Sequence, residues 1–497
     1  MRCVLLLTLA LTGCMVGPDY HRPDAVGVTS GFKEAPQGWT VAQPQDATEK
    51  GAWWAIYHDP LLDRLERQVV ISNQNVQAYE ANYRQAKATV DIARSALFPT
   101  VSGSASDTRS SRGFSSGSTT SLGTTGVGTG TTTGTTSGSQ TYTTYSLQVS
   151  ATWDLDVWGR IRRQVESNVA AAQVSAADLV NATLSAQALL ATDYFELRTQ
   201  DALNQLLTDT VKAYADTLRI TQNQYNAGVA NPSDVAAAQT QLDTARASLV
   251  SVGVLRAQYE HAIAVLTGAA PADLTIDPGR LAVDVPVAPG VVPSVLLQRR
   301  PDIAAAERVM QQQNALIGVQ VAAYYPDISL SALYGYSGNP IGSLIQAANR
   351  VWSLGANATE ILFEGGLRSA EVRAARALYD SSVATYRQTV LTAFQQVEDN
   401  LSGLRILEQQ AGATANAVRS AQRSVQIALN TYRAGTAPYT AVVTQQTALL
   451  GNQETALSVQ QQRLVASVAL VQALGGGFQQ ADLPSRDKLE EGLPFLR

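Results

Sequence analysis

The sequence predicts a membrane protein of mixed helix and strand that contains two internal repeats of one long helical hairpin. Three observations lead to this fold class. A bend in which Pro follows Gly occurs at 225–232 and again at 432–438. Residues 160–227 contain neither Gly nor Pro, which permits one continuous helix of about 100 Å. Residues 144–156 alternate strictly between hydrophilic and apolar side chains, as a strand with one apolar face does.

The two bends are followed by matching helical arms. In the second arm apolar side chains recur every seven residues, and their counterparts lie 208 residues earlier. The second-arm positions are Leu450, Leu457, Leu464 and Val471, and the first-arm positions are Leu242, Leu249, Arg256 and Ile263. A seven-residue period is typical of left-handed coiled coils, so we interpret each hairpin as a supercoiled pair.

The N-terminal segment predicts export and lipid attachment. Residues 1–13 combine Arg2 with a short apolar run, which indicates a signal peptide because the run cannot span a bilayer. Its end, Leu11-Thr12-Gly13-Cys14, resembles the lipobox of bacterial lipoproteins, which implies cleavage before Cys14 and acylation of its thiol and amine, palmitate included. Ordinary signal cleavage nearby is the alternative. Residues 14–56 are rich in Pro, Gly and polar side chains and predict an extended, lipidated tail.

The first repeat is assigned to residues 57–270. It begins with a helix at about 60–97, which Phe98-Pro99 should end. Residues 102–141 are dominated by Gly, Ser and Thr and predict a flexible loop before the strand at 144–156. The long helix and its partner arm, about 233–267, complete the repeat.

A Pro-rich linker, 271–293, leads to the second repeat at 294–477. There the first helix should end at Tyr325-Pro326, and strands are expected at 328–336 and, less clearly, at 351–362. The second hairpin covers 366–474. Residues 478–497 are interpreted as a polar C-terminal tail.

Two strands per repeat give four per chain, which is too few for a membrane barrel, since closed barrels need at least about eight. An open sheet edge cannot lie in lipid, so several chains must share one barrel. A dimer would supply eight strands, but the interior of such a barrel is filled by side chains, and a conduit therefore favours a trimer or a larger assembly. The long, lightly charged helices should continue the barrel as a coiled-coil tube in an aqueous compartment.

Several segments resemble the TolC-like outer-membrane efflux proteins, in the lipoprotein branch linked to resistance-nodulation-division pumps. The matching segments are 17–23 (GPDYHRP), Trp53-Trp54, 299–307 (RRPDIAAAE), 314–318 (NALIG), 322–326 (AAYYP) and 363–366 (FEGG). The resemblance implies a homotrimeric, 12-stranded barrel in the bacterial outer membrane with a periplasmic tunnel. It also implies that the channel works with a periplasmic adaptor and an inner-membrane pump. The role that follows from this assembly is multidrug resistance.

The same resemblance implies two sets of site residues near the bends. The adaptor-contacting hairpin tips would be Gly228, Val229 and Ala230 with Gly435, Thr436 and Ala437, and the candidate periplasmic gate would be Asp234, Tyr432, Thr440 and Thr444. The family commonly places charged residues shortly after the second tip, where this chain has uncharged residues such as Ala441 and Thr444. The alternatives are plain helix termination for the glycines and, for Asp234, a favourable charge at a helix N-terminus.

Other classes of function have less support. A net charge of −5 with 15% charged residues disfavours nucleic acid as a partner, which would need a basic face. The three histidines lack metal-ligand spacing and no nucleophile motif occurs, so neither an enzyme nor a metal or cofactor site is expected. A conduit for type I protein secretion is the closer alternative to small-molecule efflux. A passive porin and a structural coiled coil also remain, and the sequence does not indicate the substrate.

Overall fold

The computed structural model describes residues 15–25, 31–34, 52–113, 139–282, 284–286 and 299–491. The predicted signal peptide, Cys14 and the end of the predicted linker, residues 287–293, lie outside the described residues. The longer elements are α1 (Pro60–Ser72), α2 (Gln74–Ser95), β1 (Thr100–Gly113), β2 (Ser139–Leu155), α3 (Arg160–Asn226), α4 (Pro232–Leu266), α5 (Pro301–Ala322), β3 (Asp327–Gly338), β4 (Arg350–Thr359), α6 (Leu367–Arg433), α7 (Tyr439–Ala473) and α8 (Arg486–Leu489).

The two copies share one order of elements, which is helix, two strands, long helix, bend and shorter helix. Both long helices, α3 and α6, have 67 residues, and both returning helices, α4 and α7, have 35. At 1.5 Å per residue the long helices extend about 100 Å. The predicted helical hairpins and their internal repetition are confirmed.

The four strands form one antiparallel sheet in the order β1-β2-β3-β4. The prediction of a flexible loop at 102–141 is wrong for its two ends, because β1 runs from Thr100 to Gly113 and pairs with β2 along its length. Few side chains of β1 are apolar, but the backbone N–H and C=O groups along one of its edges are paired with the amphipathic partner strand. Residues 114–138 lie outside the described part of the chain. The strand expected at 351–362 is found slightly earlier, at Arg350–Thr359.

The helix predicted at 60–97 is interrupted at Asn73, and its helical part ends at Ser95. The Asn73 side chain accepts hydrogen bonds from the backbone N–H groups of Asn75 and Val76 and so caps α2. Its Nδ2 donates to the carbonyl oxygen of Leu266 in α4, at 2.8 Å. A tertiary contact therefore places a break where the sequence has neither Gly nor Pro.

The main hydrophobic core surrounds the middle of α3. Phe195 and Tyr194 of α3 are almost fully buried there with Leu62 of α1, Ile263 of α4 and Leu464 of α7. Among the described helices, only α3 contains a stretch apolar and long enough to cross a bilayer, and 39% of that stretch is buried inside the chain. Core helices of soluble proteins have the same composition, so this is weak evidence for a membrane helix.

A buried ionic network joins the first hairpin to the segment that follows it. Asp201 in α3 pairs with Arg198 at 2.8 Å and with Arg256 of α4 at 2.7 Å. Arg256 also donates to the carbonyl oxygen of Ile276, and the N–H of Gly279 donates to Asp201. Arg256 is the residue that interrupts the apolar seven-residue pattern, and the network explains its presence there.

Candidate functional site

One face of the sheet is apolar and exposed. Cross-strand pairing places Val149 of β2 beside Tyr334 of β3, and Tyr334 beside Trp352 of β4. The same face continues through Val101, Leu147, Ala151, Leu330, Ala332, Leu354 and Ala356. Leu354 is 76% exposed and Trp352 is 67% exposed. Exposure of an apolar face of this extent to water is unfavourable, which indicates that the face contacts lipid or another chain.

Aromatic side chains border this apolar face at both ends. Tyr145, Tyr336 and Trp352 lie towards one end, and Trp153 lies towards the other, near the helices. Tyr145 and Trp153 are separated by eight residues, or about 26 Å along a strand. That distance is comparable to the apolar band of outer-membrane barrels, about 25 Å tall between two aromatic girdles.

The opposite face of the sheet is hydrophilic. Ser102 and Ser150 of neighbouring strands share a hydrogen bond of 2.9 Å, and Ser106 and Ser146 share one of 2.7 Å. Strands β1 and β4 each have a neighbour on one side only, so both edges of the sheet carry unpaired backbone groups. In lipid such edges must be paired, which requires strands from other chains.

The segment next to Cys14 is held where the strands meet the helices. The N–H of Val16 donates to the carbonyl oxygen of Trp158, which lies between β2 and α3. Arg163 of α3 is 1% exposed at its side chain and pairs with Asp19 at 2.8 Å. A Cβ at Gly17 would lie 2.4 Å from the Cα of Gly318, so only glycine fits this contact. The described residues that follow Cys14 in the sequence therefore lie at the helical end of the sheet.

The two hairpin tips have the same backbone geometry. Gly228 and Gly435 adopt the left-handed conformation, with φ of 76° and 73°. The N–H of Val229 donates to the carbonyl oxygen of Gln224, and the N–H of Thr436 donates to that of Thr431. These bonds across five residues close each long helix as a glycine-terminated helix end does. The tips are exposed, and Val229 is 71% accessible.

A small buried cluster next to the bends joins the two hairpins. Tyr432 of α6 packs against Tyr439 of α7, with ring centroids 5.3 Å apart, and Ala238 of α4 belongs to the same cluster. Burial raises the pKa of Tyr439 to about 12, with smaller contributions from Tyr432, Tyr214 and Asp234. Burial likewise raises the pKa of Tyr432, and the Asp234 carboxylate adds to the shift.

Of the four candidate gate residues, Tyr432 belongs to the buried cluster, and the carboxylate of Asp234 lies close enough to raise its pKa. Thr440 and Thr444 lie one turn apart and are exposed, whereas the neighbouring Tyr439 is buried. The hydroxyl of Thr444 donates to the carbonyl oxygen of Thr440, at 2.9 Å. The two threonines thus occupy the solvent-facing side of α7, away from the cluster.

Sequence reasoning missed part of this cluster. Tyr439 donates to Oε1 of Gln241 in α4 at 3.4 Å, and Gln446 of α7 donates to the hydroxyl of Thr217 in α3 at 3.2 Å. These bonds connect the two hairpins in their otherwise apolar interior. In the sequence, only the aromatic Tyr439 directly after Pro438 could have indicated that this part of α7 packs against the other hairpin. No group of three or more His, Cys, Asp or Glu in the described chain is arranged to hold a metal ion.

A sheet with one lipid-compatible face and one hydrophilic face belongs in a membrane, and its open edges require further strands. The chain is therefore a component of a membrane β-barrel that continues into long helices. Residues 65–269 and 292–476 match the family described as outer membrane efflux protein, and the chain belongs to that family.

Known relatives agree over nearly the whole chain. It is 30% identical to the toluene efflux pump outer membrane protein TtgC of Pseudomonas putida, over 95% of this chain and 96% of the relative. It is 26% identical to the cation efflux system protein CusC of Escherichia coli, over 96% and 99%. The solved outer-membrane channel OprN is 27% identical with a TM-score of 0.81, covering 93% of this chain and 99% of that one.

The predicted fold class, the location in the outer membrane and the general role in efflux are confirmed by these matches. The family is one of efflux channel components.

Proposed function

We propose that this chain is the outer-membrane channel of a tripartite efflux system. It passively conducts small toxic molecules from an inner-membrane pump and a periplasmic adaptor to the exterior. The observation that carries the proposal is the direct continuity of the sheet with the helices. Only residues 156–159 separate β2 from α3, and only 360–366 separate β4 from α6. A barrel wall and a tunnel wall are thus one structure.

The assembly is a homotrimer. When β4 of one chain pairs with β1 of the next, a head-to-tail ring forms and no sheet edge remains open. Three chains give twelve strands, which leaves an interior wide enough for passage, whereas eight strands would be filled by side chains. The long helices of all three chains then enclose a tunnel in the periplasm.

Cys14 carries the lipid anchor. The contacts of Val16 and Gly17 support this proposal, because they hold these residues, which closely follow Cys14 in the sequence, at the junction of sheet and helices. That junction is the level of the inner leaflet if the helices extend into the periplasm. Several acyl chains would anchor the protein firmly, at about 0.8 kcal/mol per buried methylene.

The hairpin tips contact the adaptor. The residues proposed for this contact are Gly228, Val229, Ala230, Gly435, Thr436 and Ala437. Gly228, Val229, Gly435 and Thr436 are exposed at the end of the hairpins furthest from the sheet, which supports the proposal. Two neighbouring tips per chain would present six similar bends in a trimer.

The gate lies beside the tips. Asp234 and Tyr432 are its proposed centre, because the carboxylate of Asp234 in α4 of one hairpin lies close enough to raise the pKa of Tyr432 in α6 of the other. Thr440 and Thr444 are proposed to face the aperture from the exposed side of α7. A polar and aromatic contact of this kind would hold the aperture closed without the acidic residues that are common in the family.

Reconstitution tests the proposed function. Purified trimers in planar bilayers should show a small resting conductance. The gene, expressed with its adaptor and pump in an efflux-deficient bacterium, should restore resistance to toxic compounds. Trimers that are correctly located in the outer membrane but neither conduct ions nor restore resistance would overturn the proposal.

A further inference from the structure

We propose that Asp154 sets the charge preference of the barrel interior. Three copies of this carboxylate would form a ring where the barrel meets the tunnel, within a wall that is otherwise almost uncharged. The ring would favour cationic over anionic solutes at that level. This inference rests on the proposed trimeric channel and assigns it a specificity-determining residue.

The register of the sheet identifies the side chains that face the interior. They alternate with the lipid-facing set, and Ser150 of β2 lies between Ser102 of β1 and Leu333 of β3. The interior-facing residues with described side chains are Thr100, Ser102, Ser104, Ser106, Thr108, Ser110, Tyr142, Thr144, Ser146, Gln148, Ser150, Thr152, Asp154, Asp327, Ser329, Ser331, Leu333, Gly335, Ser337, Val351, Ser353, Gly355, Asn357 and Thr359. Most of them are hydroxyl side chains, which can bond to water or to solutes of either charge.

The other carboxylates near the helical end of this face are paired with arginines. Asp156, the next interior-facing residue after Asp154, pairs with Arg162 at 3.0 Å and accepts two backbone N–H bonds from α3. Asp327, at the start of β3, lies 3.7 Å from Arg160. These pairs largely cancel the charge of both acids at the rim.

Asp154 differs from them. It is exposed, its cross-strand neighbour is Ser329, and it forms no ion pair within the described part of the chain. Just beyond β4, Glu360 and Glu364 share Arg368, but these carboxylates are mostly buried. A charge on a narrow aqueous passage with low-dielectric walls acts strongly on solutes, because the walls focus the field.

Thiol reporters of the local potential test the proposal. Thr152→Cys lies two residues from Asp154 on the same face, and Ser146→Cys lies about 26 Å from it along the strand, well beyond a Debye length of about 10 Å. Trimers in outer membranes are treated with a cationic and an anionic methanethiosulfonate reagent at equal concentration. Both reagents can enter through the exterior end of the barrel. The parent protein without a reporter gives the background rate.

The cation-to-anion rate ratio should be about threefold or more higher at the Thr152→Cys reporter than at the Ser146→Cys reporter. Asp154→Asn should lower the ratio at the Thr152→Cys reporter to the value measured at the Ser146→Cys reporter. Asp107→Asn is the matched control, since Asp107 is an exposed carboxylate on the other face of the same sheet. Its loss should leave the rate ratio at the Thr152→Cys reporter unchanged.

Two results would overturn the inference. One is a ratio at the Thr152→Cys reporter that Asp154→Asn leaves unchanged. The other is a Val149→Cys reporter that reacts with the reagents as fast as Ser146→Cys does. In that case the lipid-facing and interior-facing sides of the sheet would be assigned wrongly. Neither result concerns transport, so failure of the proposed channel function, seen as trimers without conductance, is distinguished from failure of this inference.

Discussion

Glu66 of α1 is a carboxyl group in an apolar core. Its exposure is 0%, and neither carboxyl oxygen has a hydrogen-bond partner in the described chain. Burial raises the pKa of Glu66 from its ordinary value of 4.5 to about 9. The folded protein therefore keeps the neutral form at pH 7, whereas the unfolded chain ionises. Only the folded state keeps this proton above pH 4.5, so the free energy of unfolding is highest below pH 4.5 as far as Glu66 is concerned. It falls progressively as the pH rises towards 9.

The magnitude follows from this difference in pKa. Each pH unit above 4.5 costs about 1.4 kcal/mol, so the loss at pH 7 is about 3 kcal/mol. Glu66→Gln keeps the shape of the side chain and cannot ionise. We expect the variant to match the wild type near pH 4.5 and to exceed it by about 3 kcal/mol at pH 7.

Thermal unfolding of purified trimers at pH 4.5 and pH 7 measures this effect. Unfolding of a membrane assembly is treated as a rate, so half-lives at one temperature are compared. Glu80→Gln, an exposed carboxylate of α2 that lies 3.9 Å from Arg84, is the matched control and should change stability by less than about 1 kcal/mol. An equal difference between Glu66→Gln and the wild type at both pH values would refute the reasoning.

Three further predictions concern the tips, the anchor and the gate. Gly435→Val should block export while trimers persist, because a β-branched residue at this φ costs roughly 1–2 kcal/mol and deforms the bend. Gly412→Ala, in open space within α6, is the control and should preserve resistance. Cys14→Ala should weaken membrane retention without preventing barrel assembly, and assembled protein released completely from membranes would contradict this. Asp234→Ala combined with Tyr432→Phe should raise the resting conductance severalfold in planar bilayers, and an unchanged conductance would argue against the gate.

The helical hairpins were predictable because their signals are local. A stretch without Gly or Pro favours an uninterrupted helix, and Gly at the end of one helix with Pro at the start of the next marks each bend. The strands at 144–156 and 328–336 were also predictable, since their alternation reflects two different environments on the two faces.

The remaining features depend on contacts between distant segments. Strand β1 has no apolar alternation, and only its pairing with β2 makes it a strand. The break at Asn73 is stabilised by Leu266, nearly two hundred residues away. The burial of Tyr432 and Tyr439 in one cluster with Ala238 of α4 requires both hairpins to be folded and packed together.

The amino-acid pattern alone therefore determined the repeats, the length of the helices, the bends and the need for several chains to close a barrel. Each of these follows from short-range conformational preferences or from the cost of unpaired backbone in lipid. The folded chain decided which faces of the sheet meet lipid and the interior, which charges are neutralised, and which residues join the tips. These properties depend on strand register and on packing between distant parts of the chain, which local sequence patterns do not indicate.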